Sequence, residues 1–139
     1  MDGPSPTERG TAAAAESPFK GKTGIARIVH AFLNSLAGLR DAWRHESAFR
    51  QEILLAAILV PVACVVPVSV SERALLVGSV LLVLVVELLN SSVEAAIDRI
   101  SLDCHSLSKR AKDLGSASVL VALAQLAVVW ALVLVPRLA

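Results

Sequence analysis

The stretch that decides the fold is residues 74–99, which read ALLVGSVLLVLVVELLNSSVEAAIDR. A long apolar run leads directly into Glu87, Asn90, Glu94 and Asp98, which follow one another at intervals of three or four residues. At about 100° per residue, these four side chains share one stripe of a helix. A carboxylate at bilayer depth costs at least about 2.5 kcal/mol on insertion scales, so a retained acid is expected to serve a function. The sequence therefore predicts a membrane helix that carries a polar site near one membrane face.

The composition as a whole is that of a membrane protein. Hydrophobic residues make up 55% of the 139 positions, which exceeds the share that soluble domains of this size usually carry. Three apolar stretches each approach the roughly 17 to 25 residues that cross a bilayer as a helix. We therefore predict an all-α membrane protein with three transmembrane helices. The predicted spans are residues 50–70, 74–98 and 113–135, with approximate ends.

A further helical pattern precedes the first span. Apolar residues recur at helical spacing from Ile25 to Trp43, and charged and polar residues fill the other face. This pattern is typical of an amphipathic helix that lies in the membrane interface, so we predict a surface helix at about residues 25–47. Residues 1–23 are rich in Pro, Ser, Ala, Gly and charge, and we predict a disordered tail there, followed by one membrane domain over residues 24–139.

The basic residues indicate the orientation, although the formal net charge is only +1. Three arginines closely precede the first span and four basic residues lie between the second and third spans, against Arg73 and Arg137 on the opposite side. The positive-inside rule then places the N-terminus in the cytoplasm and the C-terminus outside. The polar residues 101–109 are predicted to form a cytoplasmic loop.

Three polar clusters should meet at the cytoplasmic membrane face. They are residues 45–52, residues 87–98, and the group formed by Lys112, Asp113 and Ser116. Carboxylates with a lysine and without cysteine ligands suit a hard divalent ion such as Mg²⁺ that bridges substrate phosphates. Phosphoryl transfer needs such a metal, a cation near the phosphates and a base against the acceptor hydroxyl. These clusters therefore favour a phosphotransferase.

Two acids of the stripe suit different tasks. Glu87 lies at the bilayer edge, where low dielectric disfavours a charged carboxylate and so favours proton uptake from a lipid hydroxyl. Glu94 lies two helical turns nearer to water and is better placed for a metal ion. Asp98 is either a group that supports the site or the solvated end of the helix.

Residues 46–52 (ESAFRQE), 87–99 (ELLNSSVEAAIDR) and 110–117 (RAKDLGSA) resemble the prokaryotic integral-membrane diacylglycerol kinases, in order and at that family's spacing. The likeness runs from about Gly24 to the C-terminus. It implies an ATP-dependent enzyme of the bacterial cytoplasmic membrane that phosphorylates diacylglycerol to phosphatidic acid, with Mg²⁺ as cofactor and no nucleic-acid partner. It also implies a homotrimer of three-span subunits, whose active sites form between neighbouring subunits.

The resemblance also implies roles for individual residues. Glu87 matches the catalytic base and Asn90 a residue beside it, and Glu46 and Glu94 match the residues that hold Mg²⁺ with the ATP phosphates. The implied ATP-binding positions are Arg27, Asn34, Glu46, Glu94, Asp103, His105, Lys112 and Asp113. The implied lipid-substrate positions are Arg27, Ala48, Gln51, Glu87 and Ser116. Departures from the family's best-known pattern occur at Phe32, Asn34, Asp103 and Cys104.

Three other functions fit parts of the pattern. An undecaprenol kinase shares the architecture and the acidic helix, although residues 49–52 and 98–99 look more like the diacylglycerol branch. A small proton-coupled transporter could use Glu87 as its acid, but three spans offer no inverted repeat. A structural membrane subunit could use Glu87 and Asn90 to join helices, which explains isolated polar residues better than three clusters.

Overall fold

Four helices contain most of residues 24–100 and 106–138, the part of the chain that this computed structural model describes. Their bounds are Ile25–His45 (α1), Ser47–Val65 (α2), Val70–Ile100 (α3) and Ser106–Leu138 (α4). No strand occurs in these two ranges. By length and composition, α2, α3 and most of α4 can each cross a membrane. The predicted class, three membrane-length helices after an N-terminal helix, is therefore confirmed, whereas the predicted tail lies outside the described residues.

The chain divides into two compact units, residues 1–37 and residues 38–139. The described part of the first unit is the beginning of α1. Its large apolar side chains, such as Ile25, Ile28 and Phe32, are exposed. A helix whose apolar side chains are left uncovered in this way is suited to lying on a membrane surface.

A single non-helical residue separates α1 from α2 in the second unit. Glu46 has an extended backbone (φ −101°, ψ 112°), so the helical path stops and restarts there. The guanidinium of Arg50 closes the end of α1, because its Nη1 donates to the carbonyl oxygens of Trp43 (3.1 Å) and Arg44 (3.3 Å). The junction therefore has a defined geometry, and it holds Glu46 at the beginning of α2.

The central helix of the second unit is α3, which packs against both α2 and α4. Away from the acidic stripe, the three helices meet at Ala63, Leu76 and Val133, which form a buried apolar cluster. Trp130 of α4 joins the surroundings of this cluster and donates its Nε1–H to the Leu76 carbonyl (3.3 Å). Apolar packing thus fixes one end of the bundle, and the polar stripe of α3 lies at the other.

The predicted loop over residues 101–109 is wrong in its second half, since α4 begins at Ser106. The first turns of α4 are polar, and a loop was predicted there because of this polarity. These turns are nevertheless helical. Lys109 Nζ donates to Asp113 Oδ2 at 2.6 Å, and such an i,i+4 ion pair stabilises a helix. Residues 101–105 lie outside the described part of the chain.

Candidate active site

The polar stripe of α3 forms one wall of the candidate site. Glu87 lies in a membrane-length helix, and its side chain is buried against the rest of the protein, with only 3% of the residue exposed. One turn further on, Asn90 Nδ2 donates to Glu94 Oε1 at 3.2 Å. The three- and four-residue spacing that the sequence shows thus places these side chains next to one another, as expected for one helical face.

The beginning of α2 adds two more carboxylates. Glu46 and Glu94 both lie close enough to Glu87 for their charges to act on it, and Glu87 lies close enough to act on Glu52. Glu52 is 9% exposed, and its Oε2 is buried without a hydrogen-bond partner among the described residues. Four acids therefore share this site, and no described lysine or arginine forms an ion pair with any of them. Either a bound cation or proton uptake by one of the acids would reduce the repulsion among them.

The first turns of α4 contribute a cation beside the acid cluster. Lys112 Nζ forms an ion pair with Asp98 Oδ1 at 2.5 Å, which links α4 to the last turns of α3. The lysine also lies close enough to Glu94 for their charges to interact. Asp98, for which the sequence leaves two roles open, is half-exposed and holds the lysine at the edge of the acid cluster.

Helices α3 and α4 come into close contact where Asn90 meets Gly115. A Cβ atom built on Gly115 would lie 3.2 Å from Asn90 Cγ and would collide with Asn90 Oδ1. That oxygen is buried and has no hydrogen-bond partner in the described part of the chain. The amide of Asn90 is thus confined between Glu94 on one side and the backbone of α4 on the other.

The predicted site residues fall into four groups in the structure. Those brought together in the second unit are Glu46, Glu87, Asn90, Glu94 and Lys112. Those exposed on the surface of that unit are Ala48, Gln51, Asp113 and Ser116. Two that belong to the first unit and are exposed there are Arg27 and Asn34. Two that lie outside the described residues are Asp103 and His105.

The oxygen ligands of this site suit Mg²⁺ bound together with phosphate. Within the described ranges, no group of three or more His, Cys, Asp or Glu side chains could hold a metal ion by itself. Mg²⁺ does not need such a cage, because it is commonly bound by one or two carboxylates, substrate phosphates and water. Glu46 and Glu94 can supply those carboxylates, since both lie close to Glu87.

Sequence reasoning missed two residues that shape the site. Glu52 carries the same signal as Glu87, an acid at the edge of an apolar run, since the first run begins at Ile53. That signal was sufficient to find it. Gly115 has no comparable signal, because its role depends on how closely α3 and α4 approach each other.

Comparison with known proteins identifies the family. The sequence pattern described as prokaryotic diacylglycerol kinase matches residues 33–134, which is most of the chain. The chain belongs to the prokaryotic diacylglycerol kinase family. One relative, the diacylglycerol kinase of Pseudomonas aeruginosa (strain PAO1), is 55% identical over 118 residues that cover 85% of this chain and 96% of the relative. That of Escherichia coli (strain K12) is 47% identical over 112 residues, with 81% and 92% covered. That of Helicobacter pylori (strain 26695) is 40% identical over 115 residues, with 83% and 89% covered.

Membership of the diacylglycerol kinase family confirms the resemblance on which the sequence reading rests. It also confirms that the chain is an enzyme of the kinase class, for which a nucleotide co-substrate follows. With three membrane-length helices, the chain is a multi-pass membrane protein. A transporter and a purely structural subunit are both disfavoured by this membership.

Proposed function

We propose that this chain transfers the γ-phosphoryl group of ATP to the primary hydroxyl of diacylglycerol, which yields phosphatidic acid. One structural observation carries the proposal: Glu87 is buried among three further carboxylates within a membrane-length helix. The relatives from Pseudomonas aeruginosa and Escherichia coli, which are both named diacylglycerol kinase, support the choice of lipid.

Glu87 acts as the general base in this proposal. The lipid hydroxyl oxygen attacks the γ-phosphorus, the new O–P bond forms, and the bond from the γ-phosphorus to the β–γ bridging oxygen breaks as ADP leaves. The hydroxyl proton passes to the Glu87 carboxylate. No described side chain forms an ion pair or a hydrogen bond with that carboxylate, so its oxygens are available to take the proton.

The neighbouring residues hold the nucleotide. Glu46 and Glu94 would bind Mg²⁺ with the ATP phosphates, and the ion would neutralise the charge that develops on the transferring group. Asn90 orients Glu94 through the hydrogen bond between them. Lys112, supported by Asp98, lies at the edge of the acid cluster and supplies a cation for the phosphates.

We further propose a homotrimer in the bacterial cytoplasmic membrane, with the N-terminus and the active sites on the cytoplasmic side. The uneven distribution of basic residues supports the orientation. Three predicted lipid-substrate residues, Ala48, Gln51 and Ser116, are exposed on the single chain. A neighbouring subunit packed against these helices would enclose them and would complete a site shared between subunits.

The test is phosphate transfer from γ-labelled ATP by the purified protein in mixed micelles, with diacylglycerol and undecaprenol compared side by side. We expect labelled phosphatidic acid that disappears when Mg²⁺ is chelated. Preferential labelling of undecaprenol would contradict the proposed lipid substrate and would indicate an undecaprenol kinase. Labelled phosphatidic acid that persists after chelation would contradict the metal-assisted mechanism, and folded protein that labels neither lipid would contradict the proposed kinase activity.

A further inference from the structure

The contact between Asn90 of α3 and Gly115 of α4 differs from the surroundings of two other helical glycines. A Cβ atom on Gly38 or on Gly78 would meet nothing within 4 Å, whereas one on Gly115 would overlap Asn90 Oδ1. The amide oxygen therefore occupies the space that any other residue would fill with its side chain. A side chain at position 115 would therefore force the Asn90 amide to move.

The orientation of the Asn90 amide follows from its two neighbours. Its Nδ2 donates to Glu94 Oε1 at 3.2 Å, so its Oδ1 must point the other way, toward α4. Because that oxygen lies where the Gly115 Cβ would be, one Cα–H bond of Gly115 points at it. A weak Cα–H···O contact is then the interaction left for an oxygen that has no hydrogen-bond donor among the described residues.

We propose that Gly115 is a positioning residue of the kinase site. It lets Asn90 adopt the one orientation that holds Glu94 beside Glu87, and it does so by presenting backbone instead of a side chain. This inference rests on the proposed function, in which Glu94 binds Mg²⁺ with ATP and Glu87 takes the proton. A methyl group at position 115 would displace the Asn90 amide, break its hydrogen bond to Glu94 and release that carboxylate.

The first test compares Gly115→Ala with the matched control Gly78→Ala in the full-length enzyme. Helix propensity favours alanine at both positions, so propensity alone predicts no loss at either. We expect Gly115→Ala to lower kcat by about 10- to 100-fold, the effect of a small misplacement in an active site. We also expect it to raise the Mg²⁺ concentration for half-maximal activity. Gly78→Ala should leave both values unchanged. Unchanged Mg²⁺ dependence and kcat in Gly115→Ala would overturn the proposal.

The second test is a double-mutant cycle with Asn90→Ala, read out by thermal unfolding in detergent rather than by activity. Truncation of Asn90 removes the atoms that the new methyl group would strike, so Gly115→Ala should lower the unfolding temperature in the wild-type background only. If Gly115→Ala alone fails to fold, recovery of folded protein on adding Asn90→Ala supports the contact. Additive effects, or no recovery, would overturn the inference. Wild-type protein that is inactive on diacylglycerol would instead count against the proposed function, while the unfolding cycle still reports on the contact.

Discussion

Glu94 is proposed to bind Mg²⁺, and its contacts with two neighbouring side chains support this role. It accepts a hydrogen bond from Asn90 and lies beside Glu87. Glu94→Gln keeps the size of the side chain but removes its charge, so we predict that the Kd for the Mg²⁺–nucleotide complex rises by at least about tenfold. Calorimetric titration with a non-hydrolysable ATP analogue at several Mg²⁺ concentrations measures this.

A matched control for Glu94→Gln is Glu72→Gln, an acid at the far end of the same helix that pairs with Arg137 at 2.6 Å. It should leave Mg²⁺–nucleotide binding as in the wild type. Equal affinity in Glu94→Gln and wild type would remove Glu94 from the metal site.

Asp98 offers a test of how Lys112 is held. The two groups form an ion pair at 2.5 Å, partly exposed to solvent, so its contribution is modest. We predict that Asp98→Asn raises the KM for ATP by about two- to fivefold and leaves the KM for the lipid unchanged. Steady-state kinetics in mixed micelles measures both constants.

The control for Asp98→Asn is Asp41→Asn, which removes an exposed acid that pairs with His45 instead of a lysine. Its KM for ATP should match that of the wild type. A KM for ATP that stays constant in Asp98→Asn would mean that Asp98 is only the solvated end of α3.

The sequence allowed the stripe of α3 to be predicted residue by residue, because Glu87, Asn90 and Glu94 share one helix and helical periodicity alone brings them together. It also carried the signal for Glu52. The close approach of Gly115 to Asn90 could not be predicted, because it depends on how two helices pack. Contacts within one helix are encoded locally, whereas contacts between helices depend on side chains along the whole interface.

At the scale of elements, two arginines close helix ends in the same way. Arg50 donates to carbonyl oxygens at the end of α1, and Arg73 Nη2 donates to the Val66 carbonyl (3.1 Å) that follows α2. Arg50 is seven residues beyond Trp43, and Arg73 is seven residues beyond Val66, whose carbonyl also accepts from the Val68 backbone N–H (2.9 Å). Each guanidinium thereby joins the start of one helix to the end of the helix before it.

The start of α3 is defined by a capping box. Ser69 Oγ accepts from the Glu72 backbone N–H (3.3 Å), and Glu72 Oε2 accepts from the Ser69 backbone N–H (2.8 Å). We predict that Ser69→Ala destabilises the protein by about 1 kcal/mol, the usual effect of losing such a cap. Thermal unfolding in detergent checks this, with Ser71→Ala as a neighbouring serine control outside the cap.

Catalysis should be unaffected by Ser69→Ala once the protein is folded. The cap lies roughly 25 Å from Glu87 along α3, at the helical rise per residue. An altered KM for ATP in Ser69→Ala would mean that the two ends of α3 are coupled more strongly than packing against α2 and α4 requires.

The helices themselves were largely predictable from the apolar runs, except for the beginning of α4. The predicted loop extended too far, to residue 109, because residues 106–109 are mostly polar, whereas α4 begins at Ser106. A helix that extends out of the bilayer needs no apolar residues there, and the pair formed by Lys109 and Asp113 supports its exposed turns.

At the scale of the whole molecule, the assembly is the main prediction. We expect native mass spectrometry in detergent to give particles of three chains, and kinase activity to follow the trimer through size-exclusion chromatography. The physical reason is that Ala48, Gln51 and Ser116, which we propose to contact the lipid substrate, are exposed on the single chain and would be enclosed by a second chain. A monomer with the full kcat would contradict shared active sites.

The central claim is that Glu87 takes the proton from the lipid hydroxyl. The measurement that tests it most directly compares Glu87→Gln with the wild type, using γ-labelled ATP for turnover and calorimetry for nucleotide binding. We predict that kcat falls by at least about a hundredfold, the contribution of a general base, while nucleotide affinity stays nearly unchanged. Retained turnover in Glu87→Gln would contradict the claim.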